Sequence, residues 1–451
     1  MKNFIFIIIL LTGLFSLNSC KKYLDAKPDK ALAVPATAKD FQALLDNNNN
    51  MNQLFPDAAN VEADDYFLIN SSFSNFEASA QLTYKWDPAA TIERDWNYAY
   101  TNIETCNIIL DGLKQSSSAS ISKADQDQLS GSALFFRGFN FFQLVNIFAM
   151  PYDAGSSNGG PGIPLRLNSD ITQQTTRATI AESYAQLLKD LRSAARLLPM
   201  STSVKTRPGR AAAYAALSRV YLVMQDYSRA ALYADSSLAI YNKVIDYNAV
   251  DPSSATPFSQ FNDEVIFHSV TNGQTAMLYP DYARVDTAFY LNYSTSDRRK
   301  QVYYTNSGDG YNAFKGSYSG NNYLPFNGFA VDELMLTRAE CNARLGKESN
   351  ALADLNNLLK NRYSKSAFTP YVSGTPDLLS VILKERRKEL AFRGQLRWND
   401  IRRLNFDSRF AKTLIRKVGS ADFSLPPNDK RFALLIPPSV IALTGMSQNL
   451  R

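Results

Sequence analysis

Two stretches of this 451-residue chain repeat one grammar, and that grammar restricts the fold to stacked helices. AAAYAALSRVYLVMQDYSRAALYADSSLAIY starts at Ala211, and ELMLTRAECNARLGKESNALADLNNLLKNR starts at Glu333. Ser218 and Ala339, Met224 and Leu345, Gln225 and Gly346, and Ala230 and Ala351 occupy equivalent places. A small residue, a turn, then an alanine at the crossing is the spacing of a tetratricopeptide-like helical hairpin. Such a unit cannot bury its apolar face alone, so further hairpins must stack on it. Four pairs are expected: 91–114 with 123–148, 180–198 with 209–224, 227–241 with a shorter partner, and 332–345 with 349–362. The expected fold is mostly α, a tetratricopeptide-like scaffold of about four pairs with a loop-rich insertion and little β structure.

Local signals support these elements. Trp96, Ala99, Ile103, Cys106, Ile109, Leu110 and Leu113 recur at helical spacing. A Gly/Pro-rich loop, 153–177, ends in Thr176-Arg177-Ala178-Thr179, which offers an N-cap to the helix that follows. Residues 242–330 differ: they are rich in Tyr, Asn, Ser, Gly and Thr and carry few helical runs. A loop-built insertion between regular helices is where binding commonly resides.

The densest mixture of charge and aromatics is KERRKELAFRGQLRWNDIRRL, residues 384–404. Glu385 and Glu389 are four apart, as are Glu389 and Arg393, so each pair shares a helix face. Leu383, Leu390, Phe392, Trp398, Ile401 and Leu404 supply an apolar side, and Gly394 is expected to break the helix. Glu385 and Glu389 can be read as the acid–base pair of a glycosidase. They can also be read as part of a buried salt-bridge network. Nearly every carboxylate here has an arginine three or four residues away, which lowers its pKa and makes it a poor proton donor. That favours the structural reading and no catalytic residue.

ERRKELAFRGQLRWNDIRRL resembles the ERR-x-EL-x-FEG-x-RW-x-D-hydrophobic-x-R signature of SusD/RagB-like outer-membrane lipoproteins. It matches at Glu385, Arg386, Arg387, Glu389, Leu390, Phe392, Gly394, Arg397, Trp398, Asp400 and Arg403, with Arg393 where the family usually has Glu. Trp96, Tyr100, Ile103 and Asn107 resemble a second family pattern. Arg137, Phe141, Leu144, Val145 and Pro151 resemble a third, with Ala149 for the usual Gly. Ile436, Pro437, Ile441, Gln448 and Asn449 match the terminal pattern, with Val440 for the usual Glu. The resemblance implies two regions, 20–225 and 226–451, and no cofactor. It also implies a non-catalytic protein that holds a nutrient, often an oligosaccharide and in some lineages a peptide. The implied partner is a SusC-like TonB-dependent transporter.

Residues 1–19 read as a signal peptide: Lys2, then an apolar run from Phe4 to Leu17 that is short for a membrane span. Leu17-Asn18-Ser19-Cys20 looks like a bacterial lipobox, so Cys20 is expected to be acylated and to anchor the protein at the outer-membrane surface. CKKYLDAKP also resembles the start of mature family members. Cys106 and Cys341 lie in apolar helical patterns and are expected as unpaired buried thiols. The single histidine, His268, argues against a His-based metal site and a Ser-His-Asp triad, and is expected to be packed. No GxGxxG, Walker A, CxxC or HExxH pattern occurs. A net charge of +6 without a basic block gives no nucleic-acid footprint.

Sugars are held by aromatic faces and by planar polar groups. The candidate ligand contacts are therefore loop residues: Asp65, Tyr66, Tyr84 and Trp86 from the amino-terminal loops, and Tyr279, Tyr282, Tyr290 and Tyr311 from the insertion. Trp86 is foremost, because it precedes Asp87-Pro88 and has no helical partner pattern, although it can also be read as capping the body's core, and each tyrosine as filling the small cores the loops need. Trp96 and Trp398 sit in helical motifs and are expected in the core.

Overall fold

The computed structural model describes residues 35–115, 121–271 and 276–451. The expectations for residues 1–19 and Cys20 lie outside them. Among the described residues nine helices form the scaffold: α1 Glu93–Gln115, α2 Lys123–Phe148, α3 Ile180–Leu197, α4 Arg210–Val223, α5 Tyr227–Ile240, α6 Val331–Arg344, α7 Glu348–Leu359, α8 Leu378–Glu389 and α9 Leu396–Leu404. Among the described residues no helix is long and apolar enough to cross a membrane.

Local chemistry explains the starts. Thr179 and Glu182 form a reciprocal capping box at α3, which satisfies two otherwise orphaned backbone donors. The Ser122 side chain caps α2. The recurring grammar has a recurring geometry. Gln225, between α4 and α5, has φ +62°, and Gly346, between α6 and α7, has φ +71°. Both hairpins thus turn through a left-handed residue, which Gly adopts freely and Gln does not. At the α4–α5 crossing Ser218 Oγ donates to the Ala230 carbonyl (2.9 Å) and Ser237 Oγ to that of Ala211 (2.8 Å). With Ala230 and Ala234 fully buried, the two backbones approach closely.

One expected pairing is corrected. The helix expected to take a shorter partner, 227–241, packs as α5 on α4 and on α6. The insertion leaves the stack after α5, and the chain returns in time for α6 to fill the next place. The main core is continuous through these helices and includes Trp96 and Trp398. Cys106 and Cys341 are free thiols within it. His268 is buried, with its pKa lowered to about 4 by burial.

The insertion is tied down by short antiparallel ladders. Val265–Phe267 pairs with Phe329–Ala330, Ala283–Val285 with Tyr66–Leu68, and Tyr304–Asn306 with Asn312–Phe314. Its own core is built of tyrosines whose hydroxyls satisfy one another: Tyr247 with Tyr303 (2.9 Å) and Tyr318 (2.6 Å), and Tyr293 with Tyr304 (2.8 Å).

The turn between α8 and α9 involves more than Gly394. α8 ends at Glu389, and Phe392 (φ +58°) and Gly394 (φ +43°) both take left-handed conformations. A Cβ at Gly394 would lie 2.4 Å from Asn327 Oδ1, so a larger residue would have to displace that side chain as well as adopt a left-handed φ.

Candidate functional site

The 384–404 segment is a charge clasp. Arg299, fully buried, donates to Asp297 (2.8 Å), Glu385 (2.6 Å) and Glu389 (3.0 Å). Glu385 also accepts from Lys388 (2.8 Å) and Tyr363 (3.1 Å). Arg362 donates to Glu389 and Glu264, both at 2.7 Å. Arg393 donates to Asp332 (2.8 Å), and Arg403 to Glu340 (2.6 and 2.7 Å). Both oxygens of Glu385 and both of Glu389 are engaged, which leaves none for a substrate. Burial raises the pKa of Glu385, but Arg299 and Lys388 outweigh it and hold the group below its usual range. For Glu389 burial outweighs Arg362 and Arg299, so its pKa is raised. The expectation that flanking arginines lower nearly every carboxylate here therefore fails at Glu389, where burial and the neighbouring Asp332 carboxylate together outweigh Arg362 and Arg299. Carboxylate oxygens of Glu264, Asp332 and Glu389 converge within 4.8 Å of one another, as a metal site would need. Arg362 and Arg393 already supply the cations there.

The clasp grips the amino-terminal loops. Arg397 donates to Asp64 (2.6 Å) and Arg387 to Asp65 (2.9 Å). Directly after Asp65 runs the strand Tyr66–Leu68, whose pairing with Ala283–Val285 joins those loops to the insertion.

This junction buries all four amino-terminal candidates, and their expected exposure is corrected. Asp65 is ion-paired to Arg387. Tyr66 donates its hydroxyl to the Val61 carbonyl (2.9 Å). The Tyr84 hydroxyl accepts from the Leu68 amide (2.9 Å). Trp86 is 1% exposed, and its indole N–H donates to the Glu62 carbonyl (3.1 Å). The Arg416 guanidinium covers the Trp86 and Tyr84 rings at 4.5 and 4.0 Å. Trp86 lacks a local helical partner because its partners are remote in sequence.

The rings that remain accessible form a rim along the junction. Strand alternation turns Tyr66 and Leu68 inward and leaves Phe67 half-buried between them. Tyr311 meets Phe67 edge-on at 5.0 Å and is 41% exposed. Tyr282 meets Phe76 at 5.3 Å and Tyr279 meets Tyr323 at 4.9 Å, both edge-on. Polar groups lie among them: Arg284 paired with Asp309 (2.7 Å), and Asp281 accepting from the Tyr323 hydroxyl (3.4 Å). Tyr290 packs on Tyr304 at 5.5 Å with Lys300 over its face. That is the base of the Tyr304–Asn306 hairpin, at the opposite end from Tyr311. The structure thus brings Tyr279, Tyr282 and Tyr311 to one rim and sets Tyr290 apart from its tip. Phe67, Phe76 and Tyr323 were not among the candidates. The in–out–in alternation of Tyr66-Phe67-Leu68 was the available signal for Phe67.

Residues 22–222 match the SusD-like_3 family, described as starch-binding and associating with outer membrane, and residues 331–430 match the SusD_RagB family, described as the SusD family. No curated protein matches the chain. The fold is similar to a SusD superfamily protein from Bacteroides thetaiotaomicron (TM-score 0.75, 23% identity, covering 92% of this chain and 100% of the other). It is also similar to a SusD-like carbohydrate binding protein from Bacteroides vulgatus (0.67, 20%, 91% and 97%). A third similar structure is the surface glycan-binding protein A from Bacteroides fluxus (0.71, 18%, 92% and 99%).

Proposed function

This chain belongs to the SusD/RagB-like family, and from that premise we propose that it captures glycans, oligosaccharides foremost, at the outer-membrane surface and hands them without chemistry to a SusC-like TonB-dependent transporter. The observation that carries this reading is the rim. Three edge-on aromatic pairs, two of them joining residues more than two hundred positions apart, line one junction with the carboxylates of Asp309 and Asp281 among them. Ring faces stack on the C–H faces of sugars, and the planar groups take up hydroxyls. The engagement of Glu385 and Glu389 in ion pairs supports a binding role over hydrolysis. Attachment to the outer membrane rests on the lipobox at Cys20.

Calorimetry against panels of oligosaccharides and peptides tests the ligand class. Glycan binding that weakens about tenfold in Tyr282→Ala or Tyr311→Ala is expected, the loss of one well-packed aromatic contact. Binding confined to peptides and indifferent to these substitutions would sink the glycan reading. Affinity purification from the native membrane should recover a TonB-dependent barrel, and Cys20→Ser should release the protein from the membrane.

A further inference from the structure

A concave surface that shares no residue with the rim lies where α3, α4 and α5 meet. It is a cleft of about 420 Å³ lined by Arg192, Arg196, Arg210, Tyr214 and Tyr233. Among the described residues, none of these three arginines has a carboxylate partner. Arg192 donates to the Leu188 carbonyl (3.1 Å) and Arg196 to Ser193 Oγ (3.0 Å). Arg210 donates to the Leu198 carbonyl (3.1 Å) and to Met200 Sδ (3.2 Å), while its Nε is buried with no partner. Each guanidinium has five N–H donors, so most have no protein partner among the described residues.

Arg192 and Arg196 are exposed and Arg210 is half-buried, so the cleft presents three guanidiniums to solvent with no carboxylate among the described residues to neutralise them. Arg192 and Arg196 stand one turn apart on one face of α3, where like charges repel. Arg210 brings a third charge from the start of α4. In the clasp, by contrast, Arg299, Arg362, Arg393 and Arg403 each close on carboxylates. Beside the three arginines, Tyr214 and Tyr233 place their rings 5.9 Å apart, and Tyr233 is held by parallel stacking on Tyr221 at 5.5 Å. Guanidinium forks match planar and tetrahedral oxyanions, and phenols add donors and a flat face.

We propose that this cleft is an oxyanion-binding site: it takes the carboxylate, sulfate or phosphate group of a ligand no larger than one or two sugar rings. The volume exceeds that of a bare ion, and the tyrosine rings give the remainder of the ligand a surface. The inference stands apart from the glycan reading of the rim, because the two surfaces share no residue.

The test is calorimetry at fixed ionic strength in chloride buffer, with sodium sulfate, glucuronate, glucose and anionic phospholipid vesicles as separate titrants. The wild-type protein is expected to bind sulfate and glucuronate but not glucose. Arg192→Gln/Arg196→Gln should weaken both anions about tenfold or more, the effect of removing a charge-assisted contact. Arg210→Lys, which keeps the charge and removes the fork, should weaken them less. Arg229→Gln removes a nearby exposed charge already paired with Asp226 and should leave binding within about twofold. Equal anion affinity in wild type and Arg192→Gln/Arg196→Gln overturns the proposal. So does an equal loss in Arg229→Gln, which would mean general charge attraction, and so does binding to vesicles alone.

Discussion

The clasp and the rim are both dense in polar and aromatic groups, and they use them oppositely. In the clasp the paired charges close on one another inside the protein. Arg299 and Arg362 are fully buried, and both oxygens of Glu385 and Glu389 have protein donors. In the rim each ring leans on a neighbour and leaves part of itself in solvent, as Tyr311 does on Phe67 and Tyr323 on Tyr279. A group already satisfied inside the protein contributes stability and position; a group half-satisfied at the surface can gain from a ligand. The segment most conspicuous in sequence is accordingly scaffold, and it acts on the rim indirectly, through Arg387 and Arg397 on Asp65 and Asp64.

The sharpest way to break this contrast is to open the clasp. Arg299→Leu leaves Asp297, Glu385 and Glu389 buried with fewer partners. Removing one partner of a buried pair costs about 3–5 kcal/mol. A urea midpoint shift of that size is expected, with the slope unchanged. A loss below about 1 kcal/mol would place the segment with ordinary surface ion pairs and end its description as a clasp.

Acid dependence separates two kinds of buried carboxyl within the interior. Burial pushes the pKa of Asp95 up to about 6, against the opposing N–H bonds from Ala58 and Asp57. Burial also raises Glu62 well above its usual value, and neither of its carboxyl oxygens has a hydrogen-bond partner among the described residues. In the unfolded chain such groups titrate near 4. Between about pH 4 and 6 the folded protein therefore binds more protons than the unfolded one, and stability rises as pH falls through that window. Glu385, Glu340 and Asp400 are held low by their arginine and lysine partners despite burial. Their contribution is complete above about pH 4 and lost below it. The stability maximum is expected on the acid side of neutrality. Asp95→Asn should flatten the rise between pH 7 and 4.5 by roughly 1–3 kcal/mol, read from urea midpoints across that range. A wild-type maximum at pH 7 or above would contradict the raised group.

A smaller effect is expected at Trp86, buried beneath Arg416. Trp86→Phe keeps a ring under Arg416 and removes the N–H donated to Glu62. The expected loss is roughly 1–2 kcal/mol, from a lost hydrogen bond and volume, with glycan affinity unchanged. A large fall in affinity with stability intact would return Trp86 to the ligand surface.

These regions also differ in how far sequence could reveal them. The helices α1 to α7 begin and end within three residues of expectation, because caps such as Thr179–Glu182 and the shared turn at Gln225 and Gly346 are local features. Burial of Trp86 was not legible, since Arg416 lies more than three hundred residues away. The insertion tyrosines look alike in sequence. Their fates diverge because Tyr293, Tyr303, Tyr304 and Tyr318 close a hydroxyl-linked core while Tyr311 sits at a hairpin tip. The arginine cleft is drawn from three helices, and only their packing brings Arg192 and Arg196 beside Arg210.

The finest test lies at Tyr311, where the two regions make opposite demands on one substitution. Tyr311 contributes one edge-on contact with Phe67 and is 41% exposed. Aromatic pairs of this kind are worth about 0.5–1.5 kcal/mol, and exposure places Tyr311 at the low end. Tyr311→Ala should therefore shift the urea midpoint by less than about 1 kcal/mol. If the rim is the binding surface, the same substitution weakens glycan binding about tenfold. A side chain nearly idle in folding yet decisive in binding is the reverse of Arg299. If Tyr311→Ala instead costs several kcal/mol and leaves affinity untouched, the rim is a satellite core and the distinction between the two regions collapses.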